Sequence, residues 1–412
     1  MRSIDDRGVA LVKTIFLSMI LLAVAAYAAR GTRVELRIAT NDQLEKLTLA
    51  VAEAGLQHAW RKLESDIGGG ATLTNELATP TSFLGAGTDQ TIGGITYRFV
   101  SFGGASADGY WVRIDNNSDD AGGAASDTDG QIVITSRGAI SSANRIVQSV
   151  LKQLPLFGNG LFAKYSADLS GGGITDSYDS SLGTYSSQTP GSQGNVGSNG
   201  SITNNGSPTT INGSEYAGGT ITPGQATVTG VSYQGQPLVA LPPVTPPCTN
   251  PNPTSAGITP ANDYNSSTGT LRGNSSDNVV LAPGTYCFSS VTLNGNATLT
   301  VNAGTVNIYL LGSGDSYFTG GGIINATGVP SNLRIYATSA VSAITVNGGA
   351  QAGMVIYAPE TNLTFNGGSS IYGSAVGGTI SFAGGTNFHY DTQTASLTGY
   401  ATQLVGWHEV RN

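Results

Sequence analysis

The sequence predicts an α+β unit followed by an all-β one: a long amino-terminal helix on a small antiparallel sheet, then a right-handed β-helix-like solenoid. Three observations point there. An apolar run from Val9 to Ala29 passes unbroken into a second helical pattern. Short strand-like runs follow it, and from about residue 156 the chain turns to Gly, Ser, Thr and Asn with brief alternating strands between them. The units read from these shifts are a short polar segment 1–8, a helix 9–66, a β head 71–155 and a repetitive β domain 156–412.

Composition narrows the function classes. Of 412 residues, 58 are Gly and 16 Pro, and 11% are charged. The charges crowd into the first 150 residues, leaving five basic and ten acidic side chains for the rest; a helix-rich soluble enzyme is not built that way. A net charge of −8 and a pI of about 4.8 give no basic footprint for phosphate backbones, which excludes nucleic acid as the main partner. Low charge combined with many Val, Ile, Thr and Tyr residues means ordered β-structure rather than disorder.

The helix comes first in order. Val9 to Ala29 is apolar except for Lys13 and a few hydroxyl residues, long enough to cross a bilayer core. A cleaved secretory signal ending at Ala26, Ala28 and Ala29 is the alternative. Against it, Leu36, Leu44, Leu47, Val51 and Ala54 continue a helical stripe, widened by Leu49, Leu56, Trp60 and Leu63, until Gly68-Gly69-Gly70 stops it. A helix from Val9 to Asp66 is about 85 Å long, so its first half lies in lipid or against other helices.

Arg7-Gly8-Val9-Ala10-Leu11-Val12 before that run, with Ala52-Glu53-Ala54-Gly55-Leu56 after it, resembles the amino terminus of PilX-type minor pilins of type IV pili. It is less similar to the tip minor pseudopilin of type II secretion. The resemblance implies a prepilin leader cut by prepilin peptidase between Gly8 and Val9. It also implies a single-pass stay in the inner membrane, then assembly with other minor pilins and pilus assembly proteins into an extracellular filament at the cell surface. Lys13 and Glu53 are the assembly positions. The family's major subunits carry Glu where Lys13 stands. A lysine repels a neighbouring subunit's amino group, which favours the filament tip over its shaft.

In the head, Thr96 to Phe102, Tyr110 to Ile114 and Gln131 to Thr135 read as strands, and Ala143 to Leu154 as a strand or a short amphipathic segment. Asp115, Asn117, Asp119, Asp127 and Asp129 stand in a Gly-rich loop. Such oxygen ligands suit a hard cation such as calcium, and an acidic turn of self-bonded Asp and Asn fits equally. No cofactor is required, and calcium is the candidate if one binds.

In the last part, an apolar residue, a small residue, Gly, then Gly or Asn recurs with Gly at 295, 320, 348, 367 and 384. Short strands and Gly/Asn corners at steps near 20 describe a solenoid, with a β-sandwich as the alternative. Cys248 and Cys287 lie here. In an exported protein one disulfide would close this loop and contribute about 3–4 kcal/mol; two free thiols are the other reading, and nothing suggests zinc. Leu281-Ala282-Pro283-Gly284-Thr285-Tyr286, Asp176-Ser177-Tyr178-Asp179, Val355-Ile356-Tyr357-Ala358-Pro359, Ile371-Tyr372-Gly373 and Phe388-His389-Tyr390-Asp391 resemble the β-helix-like domains attached to PilX-type amino termini. That resemblance implies fold more than function.

Three functions follow, in descending order. The first is a minor pilin acting in assembly or at the tip, with surface adhesion. The second is a membrane-anchored or secreted adhesin whose Tyr165, Tyr178, Tyr185, Tyr216 and Tyr233 meet glycans or a surface by stacking and hydroxyl contacts. The third is a polysaccharide lyase or hydrolase, for which only His389 with Asp391 offers an acid/base pair. With no clustered carboxylates, the expectation is that the chain is not an enzyme and has no catalytic residue.

Overall fold

The computed structural model describes residues 6–85, 87–102, 108–118, 123–141, 143–206, 208–347, 352–368 and 370–410. The first five leader residues, Asp119 and the repeat glycine Gly348 lie outside them. Helix α1 (Asp6–Gly68) is continuous over 63 residues, about 95 Å. Residues 10–43 are exposed throughout, with Leu22 at 74% and Tyr27 at 82%. The buried stripe starts later than the sequence suggested. Leu36 and Leu47 stay exposed and Ala54 faces out, whereas Val51, Ala52, Leu56, Ala59, Leu63 and Ile67 form the inner face.

That face rests on an antiparallel meander of β1 (Thr88–Ile92), β2 (Ile95–Ser101), β3 (Gly109–Asn116), β4 (Gln131–Ile140) and β5 (Ala143–Pro155). Tyr110, Val112, Ile114, Ile132, Ile134, Val147 and Leu151 supply the sheet side of the core. Residues 143–155 therefore resolve to a strand. β1 escaped the sequence reading because its first four side chains are polar and exposed; what makes it is the Gly93-Gly94 corner, both at positive φ, joining it to β2.

The head does not end at residue 155. Tyr400–Val410 pairs antiparallel with β5, and Val239–Ala240 pairs with Tyr400–Val410, giving seven strands. The boundary 156–412 is corrected accordingly: the last strand belongs to the head. Trp60 of α1 donates to Thr402 at 3.1 Å, and Arg145 bridges Glu45 of α1 at 2.7 Å and Glu409 of the last strand at 3.3 Å.

The remaining chain forms a 20-stranded and a four-stranded sheet, built mainly of parallel ladders. One ladder runs through Gly284–Phe288, Val306–Leu310, Leu333–Ala337, Ala352–Asn366, Ser370–Ala383, Leu161–Asp168, Val196–Ser198 and Glu215–Ala217. A second runs through Thr270–Gly273, Ser290–Leu293, Ser316–Phe318 and Ala343–Asn347, then the far halves of the same long strands, to Ser201–Thr203 and Ile221–Thr222. On a third side, Ser370–Ala383, Thr386–Asp391, Gly173–Tyr178, Thr209–Ile211 and Thr227–Val228 are neighbours.

The spatial order is not the chain order. Leu161–Asp168 lies between Ser370–Ala383 and Val196–Ser198. Stacking of each unit on the next in sequence is therefore corrected. The first strand has two free edges; the segments just after it take one, and the carboxy-terminal strands return to take the other. The far end is blunted by antiparallel pairs, Tyr264–Asn265 on Thr270–Leu271 and Ile258–Thr259 on Val280–Leu281, which removes an open edge. Inside, Leu271, Leu293, Phe318, Val346, Phe365 and Phe382 belong to one continuous buried core.

Segment 241–249 ties the parts together. The Tyr357 hydroxyl donates to the Pro242 carbonyl at 2.6 Å, Leu241 and Val244 pack with Phe157 and Phe162, and Cys248 is disulfide-bonded to Cys287 across a Cα separation of 6.6 Å.

Candidate functional site

Two features stand out: the uncovered half of α1 and a tyrosine-lined pocket. On the helix, Ala10–Gly68 contains a window long and apolar enough to cross a membrane, none of it buried. Lys13 is exposed near the start of this helix. Gly8 and Val9 lie in the helical backbone, with their side-chain surroundings outside the described residues. Glu53 is exposed, on the side of α1 away from the sheet. Its small neighbours do the packing: a Cβ on Gly55 would stand 2.8 Å from the Tyr110 ring. His58 Nδ1 lies 2.7 Å from the hydroxyl of that tyrosine. The Ala52-Glu53-Ala54-Gly55-Leu56 motif thus seats the helix on its sheet.

The described part of the acidic loop is bonded to itself. Asp115 is clamped by Arg113, whose Nε donates to Oδ2 at 2.7 Å. Asp127 Oδ1 accepts the backbone N–H groups of Gly130 and Gln131, each at 3.0 Å. Asn117 donates to Asp129 at 2.9 Å. Among the described residues no three His, Cys, Asp or Glu side chains group so as to hold a metal. These bonds are of the kind that Asp and Asn make locally in turns.

The pocket lies on the third ladder, where Tyr372, His389 and Asp176 are in register on adjacent strands. His389 Nδ1 is 2.6 Å from Asp176 Oδ1, and Nε2 is 3.2 Å from Ser370 Oγ. A carboxylate oxygen accepts, so His389 Nδ1 donates to Asp176. The Tyr185 hydroxyl donates to Asp176 Oδ2 at 2.7 Å, and its ring covers the imidazole with centroids 3.9 Å apart. The loop carrying Tyr185 is held by Asp179, which accepts from Ser181 N at 2.8 Å and Oγ at 2.6 Å, and by Gln188, which donates to the carbonyls of Asp179 and Gly183. The Ser181 hydroxyl bond holds the Asp179 carboxyl below its usual range.

Beside this network is a cavity of about 410 Å³. Tyr178, Tyr185, Tyr372, Thr184 and Ser186 line it together with Asn325, Thr327 and Gly328, and none of the described residues lining it is acidic or basic. Tyr178 meets both other rings edge-on, at 5.6 and 6.0 Å. Burial raises the Tyr178 and Tyr185 phenols well above their ordinary range, so both remain neutral.

The pairing of His389 with Asp391 is corrected: its partner is Asp176, 213 residues away in sequence. Asp391 instead accepts from the N–H groups of Ser180 at 3.0 Å and Gln393 at 3.2 Å. Sequence reasoning named Tyr178 and Tyr185 but assigned no role to Asp176, Ser370, Tyr372 or Asn325. Tyr216 and Tyr233 stack elsewhere at 5.3 Å, and the Tyr165 hydroxyl donates to Glu360 at 2.6 Å.

Comparison with known proteins adds little to this geometry. Residues 275–397 match a family described as a domain of unknown function, DUF7305. No curated protein matches the chain. Among solved structures, it is similar to the competence-associated pilin ComZ from Thermus thermophilus, at 14% identity and a TM-score of 0.32, over 89% of this chain and 97% of that one. It is also similar to the DUF3494 domain of a Shewanella frigidimarina ice-binding protein, at 14% identity and a TM-score of 0.28, over 57% of this chain and 94% of that one. At such scores neither likeness is an argument for function.

Proposed function

We propose that the chain is a minor pilin of a type IV pilus or related filament, held by α1 in the inner membrane and then assembled at the tip. The observation that supports this most is the helix itself. Its first half projects free as an apolar rod, while its second half is built into a folded head. A soluble protein would not expose such a rod, and a plain membrane anchor would not need it continuous with the head core. The parallel ladders support a right-handed β-helix-like solenoid as the displayed domain, right-handed being the rule for parallel crossovers. The leader reading is tested at Gly8: a bulky replacement is expected to block prepilin peptidase and abolish incorporation into filaments, and unchanged processing would overturn it.

A second reading, an adhesin that contacts glycans, is favoured by the uncharged tyrosine pocket. We read the Ser370, His389 and Asp176 chain as structural. Its order matches an acyl-transfer relay, but Tyr185 lies on the imidazole, leaving His389 5% exposed. Ester or polyuronate cleavage that vanished with Ser370→Ala would overturn that.

A further inference from the structure

We infer that the tyrosine pocket binds one uncharged sugar residue, with Tyr178 donating or accepting a hydrogen bond to a ligand hydroxyl. The inference rests on the adhesion reading and is independent of the filament reading. Its main support is a polar group without a partner. Tyr178 is 6% exposed and lines the cavity, yet its hydroxyl has no hydrogen-bond partner among the described residues. That hydroxyl is not one of the sealed, unpartnered polar atoms; it opens to the cavity, where a ligand hydroxyl can meet it. The neighbouring Tyr185 shows the contrast, since its hydroxyl is spent on Asp176.

The rest of the lining selects the ligand class. A cavity of about 410 Å³ falls at the small end of ligand pockets and suits one sugar ring of a longer glycan. Tyrosine rings offer faces for the C–H side of a pyranose, and the Thr184 and Ser186 hydroxyls, 3.2 Å apart, offer groups that both donate and accept. Asn325 is a wall rather than a hook: its Nδ2 donates to the carbonyls of Val329 and Gly353, and its Oδ1 accepts from Thr327. Nothing in the lining compensates an ionic ligand, and burying an unpaired charge there would be costly. Uronic acids and sialic acids are therefore disfavoured against neutral hexoses and N-acetylhexosamines.

The test is calorimetric titration of the full chain in detergent micelles with cellobiose, maltose, lactose and chitobiose, using digalacturonate as the charged comparison. At least one neutral disaccharide is expected to bind and digalacturonate not to. Tyr178→Phe keeps the ring and removes the hydroxyl, and is expected to weaken binding by about threefold to tenfold, the worth of one hydrogen bond. Ala326→Trp, at an exposed position on the pocket lining, is expected to abolish it without disturbing the fold, as checked by circular dichroism. Absence of binding to all four neutral probes, preference for digalacturonate, or wild-type affinity in both variants would each overturn the inference. None of these outcomes depends on whether the protein is processed or assembled.

Discussion

At the residue scale the chain is short of charge, yet it buries a carboxylate whose surroundings favour the neutral form. Asp391 is fully buried. Its Oδ1 accepts two backbone N–H groups, its Oδ2 has no partner among the described residues, and burial raises its carboxyl above the ordinary range. A folded-state pKa above the unfolded value means that the fold prefers the neutral acid. This residue's contribution therefore improves as pH falls through the raised pKa toward about 3.9, and is least favourable above it. Asp391→Asn keeps the Oδ1 acceptor and removes the ionisation. Its melting temperature is expected to match or exceed wild type at neutral pH and to lose the wild-type gain on mild acidification; parallel pH profiles would contradict this. The sequence shows Asp391 and His389 two residues apart and invites pairing them. Nothing in that spacing reveals that Asp176 arrives from a distant strand at the same register position.

At the scale of elements, the seating of α1 on its sheet governs the head. A Cβ on Gly138 would collide with the α1 backbone at Thr48 and Ala52, so helix and β4 touch where neither side carries a large side chain. Gly138→Val is expected to lift the helix and cost about 1–3 kcal/mol, read by denaturant unfolding. A change within experimental error would mean that the contact is slack. Periodicity made α1 legible end to end and placed three of the five meander strands within a few residues. It misplaced the start of the buried stripe, because the helical spacing of Leu36, Leu44 and Leu47 continues beyond the point where the sheet packs against the helix. β1 was hidden because only Ile92 of its five side chains is apolar.

At the scale of the molecule, short parallel strands with Gly and Asn corners announced the stacked β region, and the Cys248–Cys287 bond matches one of the two readings left open. The return of the carboxy terminus was not legible. Thr386–Asp391 completes the ladder beside Gly173–Tyr178 and Tyr400–Val410 completes the head sheet; pairings over more than 200 residues leave no mark in local pattern. Together with the 241–249 crossing they tie the β stack to the head that carries α1. This is consistent with a filament subunit whose display domain is held firmly on its assembly helix.

The central claim is that α1 is the assembly helix of a processed subunit. The most direct test is the amino-terminal sequence of the protein recovered separately from membranes and from sheared surface filaments. A start at Val9 in the sheared fraction is the predicted result. An intact Met1 confined to the membrane, or a start near Arg30 on a freely released protein, would contradict it.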